Sequence, residues 1–270
     1  MQTEPQPLNC AGRAWARAEL LAGDTEVFGF PVGRLLLGEA PPTAGERVAA
    51  TESLSAWARQ TGAAILWAAV PGGELAWSDA LGALEFACID LTLQMTLANL
   101  KKRPRPAFEA RVRPATLEEH PVLESIAATA FNFGRYHRDR RFPRELANKR
   151  FEVWLHKSLQ RPEPGMRFLV IGPAGRPAAF MFTEVKQDKA QLWLAAVAPE
   201  ASNGLLGPML YAGTLDALEA EGVRSIATKI SAVNTGVMNI YTHLGFQASL
   251  PEFTYHWRSP ASPCLLPAET

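Results

Sequence analysis

The chain has 270 residues, with 27 Lys+Arg against 27 Asp+Glu and a hydrophobic share of 47%. This length fits one large α/β domain or two ordinary ones, and the hydrophobic share is typical of a globular protein rather than a disordered chain. Neutral total charge gives no electrostatic support for nucleic-acid binding, which needs a basic surplus on one face.

The cysteines and the first residues indicate the cellular compartment of the protein. Cys10, Cys88 and Cys264 lie far apart, without the spacing of metal ligands or of a CxxC motif. The first residues lack the basic and apolar regions of a secretion signal, and the apolar runs are too short to span a bilayer. We therefore expect a cytoplasmic protein with no metal and no membrane or nucleic-acid partner.

The first part of the chain predicts alternating strands and helices and shows no internal repeat. A helix is expected over 46–60, because Val48, Leu54 and Trp57 fall near one face and Gly62 follows as a stop signal. The remaining elements are a short strand ending at Leu35, strands over 64–70 and 86–97, and a helix over 76–84. This part carries no dense set of catalytic side chains and is interpreted as a scaffold.

A basic, proline-containing stretch at 101–106 (Lys-Lys-Arg-Pro-Arg-Pro) interrupts the pattern. Such a cluster suits either a nucleic-acid or membrane contact or an interdomain linker. The alternating prolines prevent an amphipathic helix and favour an extended, solvated linker. The sequence thus predicts two domains, a smaller α/β domain over 1–106 and a second domain over 107–270.

The second domain predicts a helix after Thr116, which has Glu119 at capping-box spacing. An arginine-rich aromatic stretch follows over 131–143. The remaining elements in order are a helix over 145–159, strands over 167–172, 177–185 and 191–197, a helix over 206–221, a strand over 223–230, a helix over 236–244 and a strand over 253–258.

Two segments have the residue types of a binding site. After the strand ending at Val197, a loop of small residues leads to a helix with Pro208 near its start, where free N–H groups and the helix dipole favour an anion such as a pyrophosphate. A purely structural turn is an equal alternative. Further on, Asn234 caps a helix and Tyr241 lies two turns later, facing a cleft or packing in the core.

The segment from Arg113 to Arg258 resembles the GNAT superfamily of N-acyltransferases. The resemblance is carried by Asn-x(6)-Tyr-x(3)-Gly-Phe, here Asn234, Tyr241, Gly245 and Phe246. It implies a mixed, mostly antiparallel central sheet flanked by helices, with an acyl-CoA co-substrate, acetyl-CoA or another. It also implies that the strand edge at Val197 pairs with the pantetheine arm, that Asn234 contacts CoA and that Tyr241 is the general acid.

The pyrophosphate loop departs from the superfamily pattern Gln/Arg-x-x-Gly-x-Gly/Ala. This chain has Ala-Ser-Asn-Gly-Leu-Leu at 201–206, with the second glycine displaced to Gly207. The residues implied in the grip are Gly204, Leu205, Leu206 and Gly207. Either the loop binds CoA through an altered turn, or CoA affinity is reduced or lost.

The chain is also similar to the two-domain TDP-fucosamine N-acetyltransferases, through 28–35 (Phe-Gly-Phe-Pro-Val-Gly-Arg-Leu), the stretch over 131–143 and the helix containing Trp154. This resemblance implies direct attack of a nucleotide-linked amino sugar on the thioester, and it is compatible with a homodimer. The residues proposed to hold the nucleotide sugar are Arg135, Tyr136, His137 and Arg138. A solvated loop with internally paired charges is the alternative.

The resemblance leaves two questions open. His137, Asp139 and Glu184 are equal candidates for the general base, and a water chain is a further alternative. The other functional hypotheses are an N-acyltransferase for another small amine and a degenerate, non-catalytic binding module of the same fold.

Overall fold

The computed structural model describes residues 4–201 and 204–260. Its helices and strands, in chain order, are β1 (Gln6–Cys10), β2 (Arg13–Leu20), α1 (Ala22–Phe28), β3 (Val32–Leu37), α2 (Arg47–Thr61), β4 (Ile65–Pro71), α3 (Leu75–Ala83), β5 (Ala87–Leu97), β6 (Arg113–Pro114), α4 (His120–Ala130), α5 (Arg135–Arg138), α6 (Arg144–Gln160), β7 (Met166–Ile171), β8 (Ala179–Lys186), β9 (Lys189–Val197), α7 (Leu206–Ala220), β10 (Ser225–Ser231), α8 (Thr235–His243) and β11 (Gln247–Arg258). The sequence prediction identifies most of these elements but misses β1, β2, α1 and the short α5. None of the described helices is long and apolar enough to cross a membrane.

The chain forms two compact units that are not consecutive in sequence. The first unit holds the chain up to Thr92, Gly134–Arg150 and the chain from Leu250 onward, whereas the second holds Leu93–Phe133 and Phe151–Ser249. The sequence predicts a single boundary at 101–106. The difference arises because the last strand pairs with an early one: Phe253 of β11 is in register with Val70 of β4.

The second unit is a mixed sheet between two helical layers. Its strands β6, β7, β8 and β9 run antiparallel to one another in that order, and β10 is parallel to β9. Buried side chains on one face pack with α7 and α8, and those on the other face pack with α4 and the end of α6. The predicted fold class, a mostly antiparallel sheet flanked by helices, is confirmed.

The first unit has the same layout. Its strands β1, β2 and β3 are antiparallel, β4 is parallel to β3, and β11 is antiparallel to β4. The helix α2 links its parallel pair as α7 links β9 to β10, and α3 follows β4 as α8 follows β10.

Backbone details repeat between the units at matching positions. Gly62 and Gly222 both have positive φ after the linking helix, at 70° and 89°, and Glu85 and Gly245 both have positive φ after the next helix, at 65° and 86°. The amide that follows each of the latter also bonds alike, to the carbonyl of residue 81 at 2.9 Å or of residue 241 at 3.0 Å. The chain therefore contains a structural repeat, which corrects the sequence-based conclusion that no repeat is present.

Two further expectations are wrong in detail. Val48 is 69% exposed, whereas Leu54 and Trp57 on the same helix are buried. The stretch at 101–106 is largely exposed but is not a free linker, because Arg103 is only 5% exposed and its guanidinium bonds Asp216 and Glu219 of α7. A desolvated guanidinium requires such carboxylate partners, so this stretch is anchored to the second unit.

Candidate active site

In the second unit, the parallel strands β9 and β10 separate part-way along their length. Their register joins Ser225, Ile226 and Ala227 of β10 to the first three residues of β9. The last link is a side chain, because the Thr228 hydroxyl donates to the Leu192 carbonyl at 3.0 Å. Beyond this point the strands form a split, and α7 and α8 begin shortly after their ends.

A β-bulge lies where the split begins. Phe182 of β8 is opposite Leu194 and Thr183 is opposite Leu192, which leaves Trp193 as the extra residue of β9. The bulge reverses the side-chain alternation of β9: Leu192 packs in the core beneath α7 and α8, whereas Leu194 packs in the core beneath α4 and α6.

The far end of β9 presents an edge to the split. The Ala198 N–H donates to the Ala178 carbonyl at 2.8 Å, on the side of β8. Because peptide groups alternate along a strand, the N–H and C=O groups of Ala195 and Val197 point to the opposite side. Among the described residues of β10, none is in register with them. This edge can pair with an extended ligand.

The start of α7 supplies backbone donors beside the split. Gly204 has φ 129°, Leu205 is the N-cap without a side-chain cap bond, and the first helical bond runs from the Met209 N–H to the Leu205 carbonyl at 2.8 Å. The N–H groups of Leu206 and Gly207 thus precede the helix's own hydrogen bonds. Two residues of the predicted loop, 202 and 203, lie outside the described part of the chain.

The helix α8 brings Asn234 and Tyr241 to this region. The Asn234 side chain accepts from the Val237 N–H at 3.3 Å, so the predicted helix cap is present. A Cβ added at Gly207 would meet the Ile240 side chain at 3.8 Å, which places the start of α7 against α8.

Tyr241 is buried, at 4% exposure, and its ring packs edge-on against Tyr211 with the centroids 5.1 Å apart. Its hydroxyl hydrogen-bonds Thr228, whose own hydroxyl donates to the Leu192 carbonyl at the split. Burial raises the pKa of Tyr241, while the hydrogen bonds with Thr228 and Tyr211 act in the lowering direction. The phenol is therefore protonated at neutral pH.

A carboxylate and two indoles lie beside the bulge. Trp193 is 43% exposed, and its Nε1 donates to Glu184 Oε2 at 3.3 Å. Trp154 packs edge-on against Trp193, with ring centroids 5.9 Å apart. A hydrogen bond from Lys186, with Nζ 2.7 Å from Glu184 Oε1, lowers the pKa of Glu184, so its carboxylate is ionised at neutral pH. Among the three predicted base candidates, Glu184 is the one in the second unit.

The predicted sugar-binding residues all lie in the first unit. Tyr136 is 3% exposed, and its hydroxyl donates to Asp24 at 2.6 Å. Arg135 bonds the same carboxylate at 3.0 Å and lies over the Trp67 ring, 4.3 Å from its centroid. These contacts stabilise the first unit and leave the Tyr136 ring no exposed face for stacking.

The other two predicted sugar-binding residues differ in their surroundings. His137 Nε2 is 2.7 Å from the Asn148 side-chain oxygen, and burial lowers its pKa. Arg138 is exposed and lines a cavity. Within the described ranges 4–201 and 204–260, no cluster of three or more His, Cys, Asp or Glu residues could hold a metal ion.

Comparisons with known proteins find similarity to N-acetyltransferases in both sequence and structure. A stretch of 81 residues, 30% of this chain, is 35% identical to the ribosomal protein bS18-alanine N-acetyltransferase of Salmonella typhimurium. A solved structure of a GCN5-related N-acetyltransferase from Sphaerobacter thermophilus aligns with a TM-score of 0.62 at 14% identity, over 92% of this chain and 78% of the other. A tandem GNAT protein from the clavulanic acid biosynthesis pathway aligns with a TM-score of 0.59 at 15% identity, over 94% and 82%.

The chain has the GNAT fold. The match to the alanine acetyltransferase covers 55% of that relative, so the chain spans about half the length of the curated relatives it matches. No family model matches the chain. In this fold the split, the bulge and the starts of α7 and α8 form one candidate site, which joins the predicted CoA-binding residues to Tyr241. The sequence indicates the helix starts through Asn234 and Gly204, but the bulge residue Trp193 carries no local signal.

Proposed function

We propose that the chain is an acetyl-CoA-dependent N-acetyltransferase whose active site is the split between β9 and β10 in the second unit. The observation that carries the proposal is the edge of β9 at Ala195 and Val197, which is unpaired among the described residues of β10, begins at a bulge and is followed by the uncapped start of α7. The similarity to an alanine N-acetyltransferase supports it.

The site fits the parts of acetyl-CoA in order. The edge at Ala195 and Val197 suits the amides of the pantetheine arm, because both partners then satisfy their backbone donors and acceptors. The N–H groups of Leu206 and Gly207 suit the pyrophosphate, aided by the positive end of the α7 dipole. Pro208 has no backbone N–H, so this pyrophosphate site has one donor fewer than a helix start without proline.

In the proposed reaction, the acceptor nitrogen forms a bond to the thioester carbon as the C–S bond breaks. A backbone N–H at the bulge stabilises the oxygen that becomes negative in the transition state. Glu184 takes the proton lost by the acceptor nitrogen, and Tyr241 gives its proton to the departing thiolate. This assignment uses an ionised carboxylate and a protonated phenol, which are the states that their surroundings favour.

The acceptor is proposed to be an amine on a nucleotide-linked deoxy sugar. The match to the alanine acetyltransferase favours a second candidate, the amino terminus of a peptide. A thiol-release assay with acetyl-CoA and a panel of TDP- and UDP-linked amino sugars, alanyl peptides and small diamines distinguishes them. We expect turnover with one amine class. Absence of acetyl-CoA binding at millimolar concentration would contradict the proposal and favour a non-catalytic binding module.

A further inference from the structure

A cavity of about 550 Å³ opens on the first unit, away from the residues of the proposed acetyltransferase site in sequence and in unit. One wall runs from Glu85 to Ile89, at the start of β5, and the other is the segment from Arg138 to Arg141. This volume lies in the range of small-molecule sites.

The cavity is lined by three arginines that differ in their acidic partners. Arg138 and Arg140 are exposed, and among the described residues neither has an acidic partner within 4.0 Å. Arg141 is half-buried, with Nε 3.9 Å from Asp139 Oδ1. Glu85 is the opposing carboxylate of the lining.

Asp139 does not offset these charges, because its carboxylate is already paired with Arg258 and hydrogen-bonded to His256 inside the unit. His256 Nδ1 lies 2.9 Å from Asp139 Oδ2, and Arg258 Nη2 lies 2.7 Å from the same oxygen. Asp139 itself is 4% exposed. The carboxylate is therefore an internal anchor that fixes the segment from Arg138 to Arg141, and the cavity keeps a positive surplus.

The remaining wall is apolar and carries a thiol. Ala87 and Ile89, both half-buried, contribute carbon surface, and the exposed Cys88 stands between them, whereas Phe86 is only 4% exposed. Glu85 has a left-handed backbone, φ 65°, at the position where the second unit has Gly245. A non-glycine residue pays strain in that conformation, which is a common feature of ligand-contacting turns.

We propose that this cavity binds the diphosphate of a nucleoside diphosphate or its sugar conjugate. One guanidinium group can donate two parallel hydrogen bonds to a phosphate group. Three arginines therefore suit a ligand with two or more negative charges better than a ligand with a single carboxylate. The carbon surface of Ala87 and Ile89 suits the nucleoside part. The proposal rests on the first unit and does not depend on acetyl transfer in the second.

Calorimetry on the full chain tests the proposal with UDP, TDP, inorganic pyrophosphate and uridine. The titration is repeated on Leu205→Asp, whose added charge repels a pyrophosphate at the start of α7, so that nucleotide binding to the second unit is separated from binding to the cavity. We expect UDP or TDP to bind more tightly than pyrophosphate and uridine not to bind. The double variant Arg138→Ala/Arg140→Ala should weaken binding about tenfold or more, because each lost charged hydrogen bond is worth about a factor of ten.

Arg17→Ala/Arg59→Ala is the matched control, since both arginines are exposed residues of the same unit outside the cavity. Cys88 gives a local readout: the ligand should slow its alkylation, followed by mass spectrometry of its peptide at alkaline pH. Burial raises the pKa of this thiol, so alkaline conditions are needed to form the reactive thiolate.

Three results would overturn the proposal. They are no nucleotide binding at millimolar concentration, binding that the two arginine double variants weaken equally, and binding that leaves Cys88 alkylation unchanged. If nucleotides bind but no amine acceptor releases the thiol of CoA from acetyl-CoA, only the acetyltransferase proposal is contradicted. Failure of the cavity proposal and failure of the proposed function are therefore distinguishable.

Discussion

Tyr241 connects the core of the second unit to the split. Its hydroxyl bonds Thr228, which closes the last link between β10 and β9. We expect Tyr241→Phe to lower kcat about a hundredfold or more, since loss of a general acid costs that much, while the Kd of acetyl-CoA changes little. Steady-state kinetics and calorimetry give the two quantities. Tyr255→Phe, which removes a buried phenol from the first unit, is the control.

Retention of full turnover in Tyr241→Phe would assign the tyrosine to packing alone. A parallel loss of acetyl-CoA binding would assign it to the shape of the site. The pH profile adds an independent check. Because burial raises the pKa of Tyr241, the wild-type rate should hold on the alkaline side beyond the pH at which an ordinary tyrosine ionises.

In the first unit, the buried carboxylate of Asp139 contributes to folding stability. Burial acts to raise its pKa, but bonds from His256 and Arg258 hold the pKa well below its usual range. A depressed folded-state pKa contributes stability above the unfolded pKa, about 4, and this contribution is lost as the pH falls through the folded value. We expect Asp139→Asn to cost about 3–5 kcal/mol near neutral pH, because Arg258 is left buried and unpaired.

Urea unfolding over a pH series measures this effect. The difference between wild type and Asp139→Asn should shrink below about pH 4. Asp188→Asn is the control, since its pair with Arg224 is exposed at 3.4 Å and such pairs contribute about 1 kcal/mol or less. A constant difference across the acidic range would show that Asp139 acts through packing rather than charge.

At the scale of elements, the start of α7 shows a conflict between stability and binding. Leu205 is 60% exposed at the N-cap and offers no side-chain acceptor. We expect Leu205→Asp to stabilise the fold by about 1 kcal/mol, because the carboxylate caps the helix. The same charge should raise the Kd of acetyl-CoA about tenfold or more by repelling the pyrophosphate.

Leu205→Asn separates the two effects, because it caps the helix without charge. It should match the gain in thermal midpoint but leave the Kd closer to wild type. Unfolding curves and acetyl-CoA calorimetry on both variants are needed. Equal Kd values for the two variants would remove the start of α7 from the pyrophosphate site.

Local patterns predicted most elements, because strong turn and cap signals bound them. The Thr116–Glu119 capping box and the stop at Gly62 both occur as predicted. The bulge at Trp193 was not predictable in the same way, since it depends on which residue of β8 is opposite each residue of β9. The charge partner of Arg135 is likewise distant in sequence, at Asp24.

For the whole molecule, the structural repeat explains why one unit carries the candidate chemistry. The positions of Tyr241 and Asn234 correspond to Leu81 and Glu74 in the first unit. A repeat whose side chains have diverged this far leaves no sequence periodicity, although the backbone turns at Gly62 and Gly222 still match. The two units thus share one arrangement of strands and helices but carry different residues at the ends of their parallel strands.

The helix start of the first unit is unsuited to a pyrophosphate. Glu46 is the N-cap residue of α2, and a hydrogen bond from Arg13 lowers its pKa to about 2, so the residue at this helix start carries an ionised carboxylate, which disfavours a pyrophosphate. Pro41 and Pro42 lack N–H groups in the preceding loop. A cavity of about 380 Å³ does lie here, lined partly by these prolines, so the volume itself does not exclude a ligand.

We therefore expect one acetyl-CoA per chain. Calorimetry should give a stoichiometry of one for wild type and a much weaker single site for Leu205→Asp. Glu46→Gln is the matched variant for the other helix start, and it should leave both stoichiometry and Kd unchanged, because the loop prolines still withhold their donors. Two equivalents in the wild type, with the Kd of one of them changed by Glu46→Gln, would mean that both units hold the co-substrate and that the first unit is more than a diverged copy.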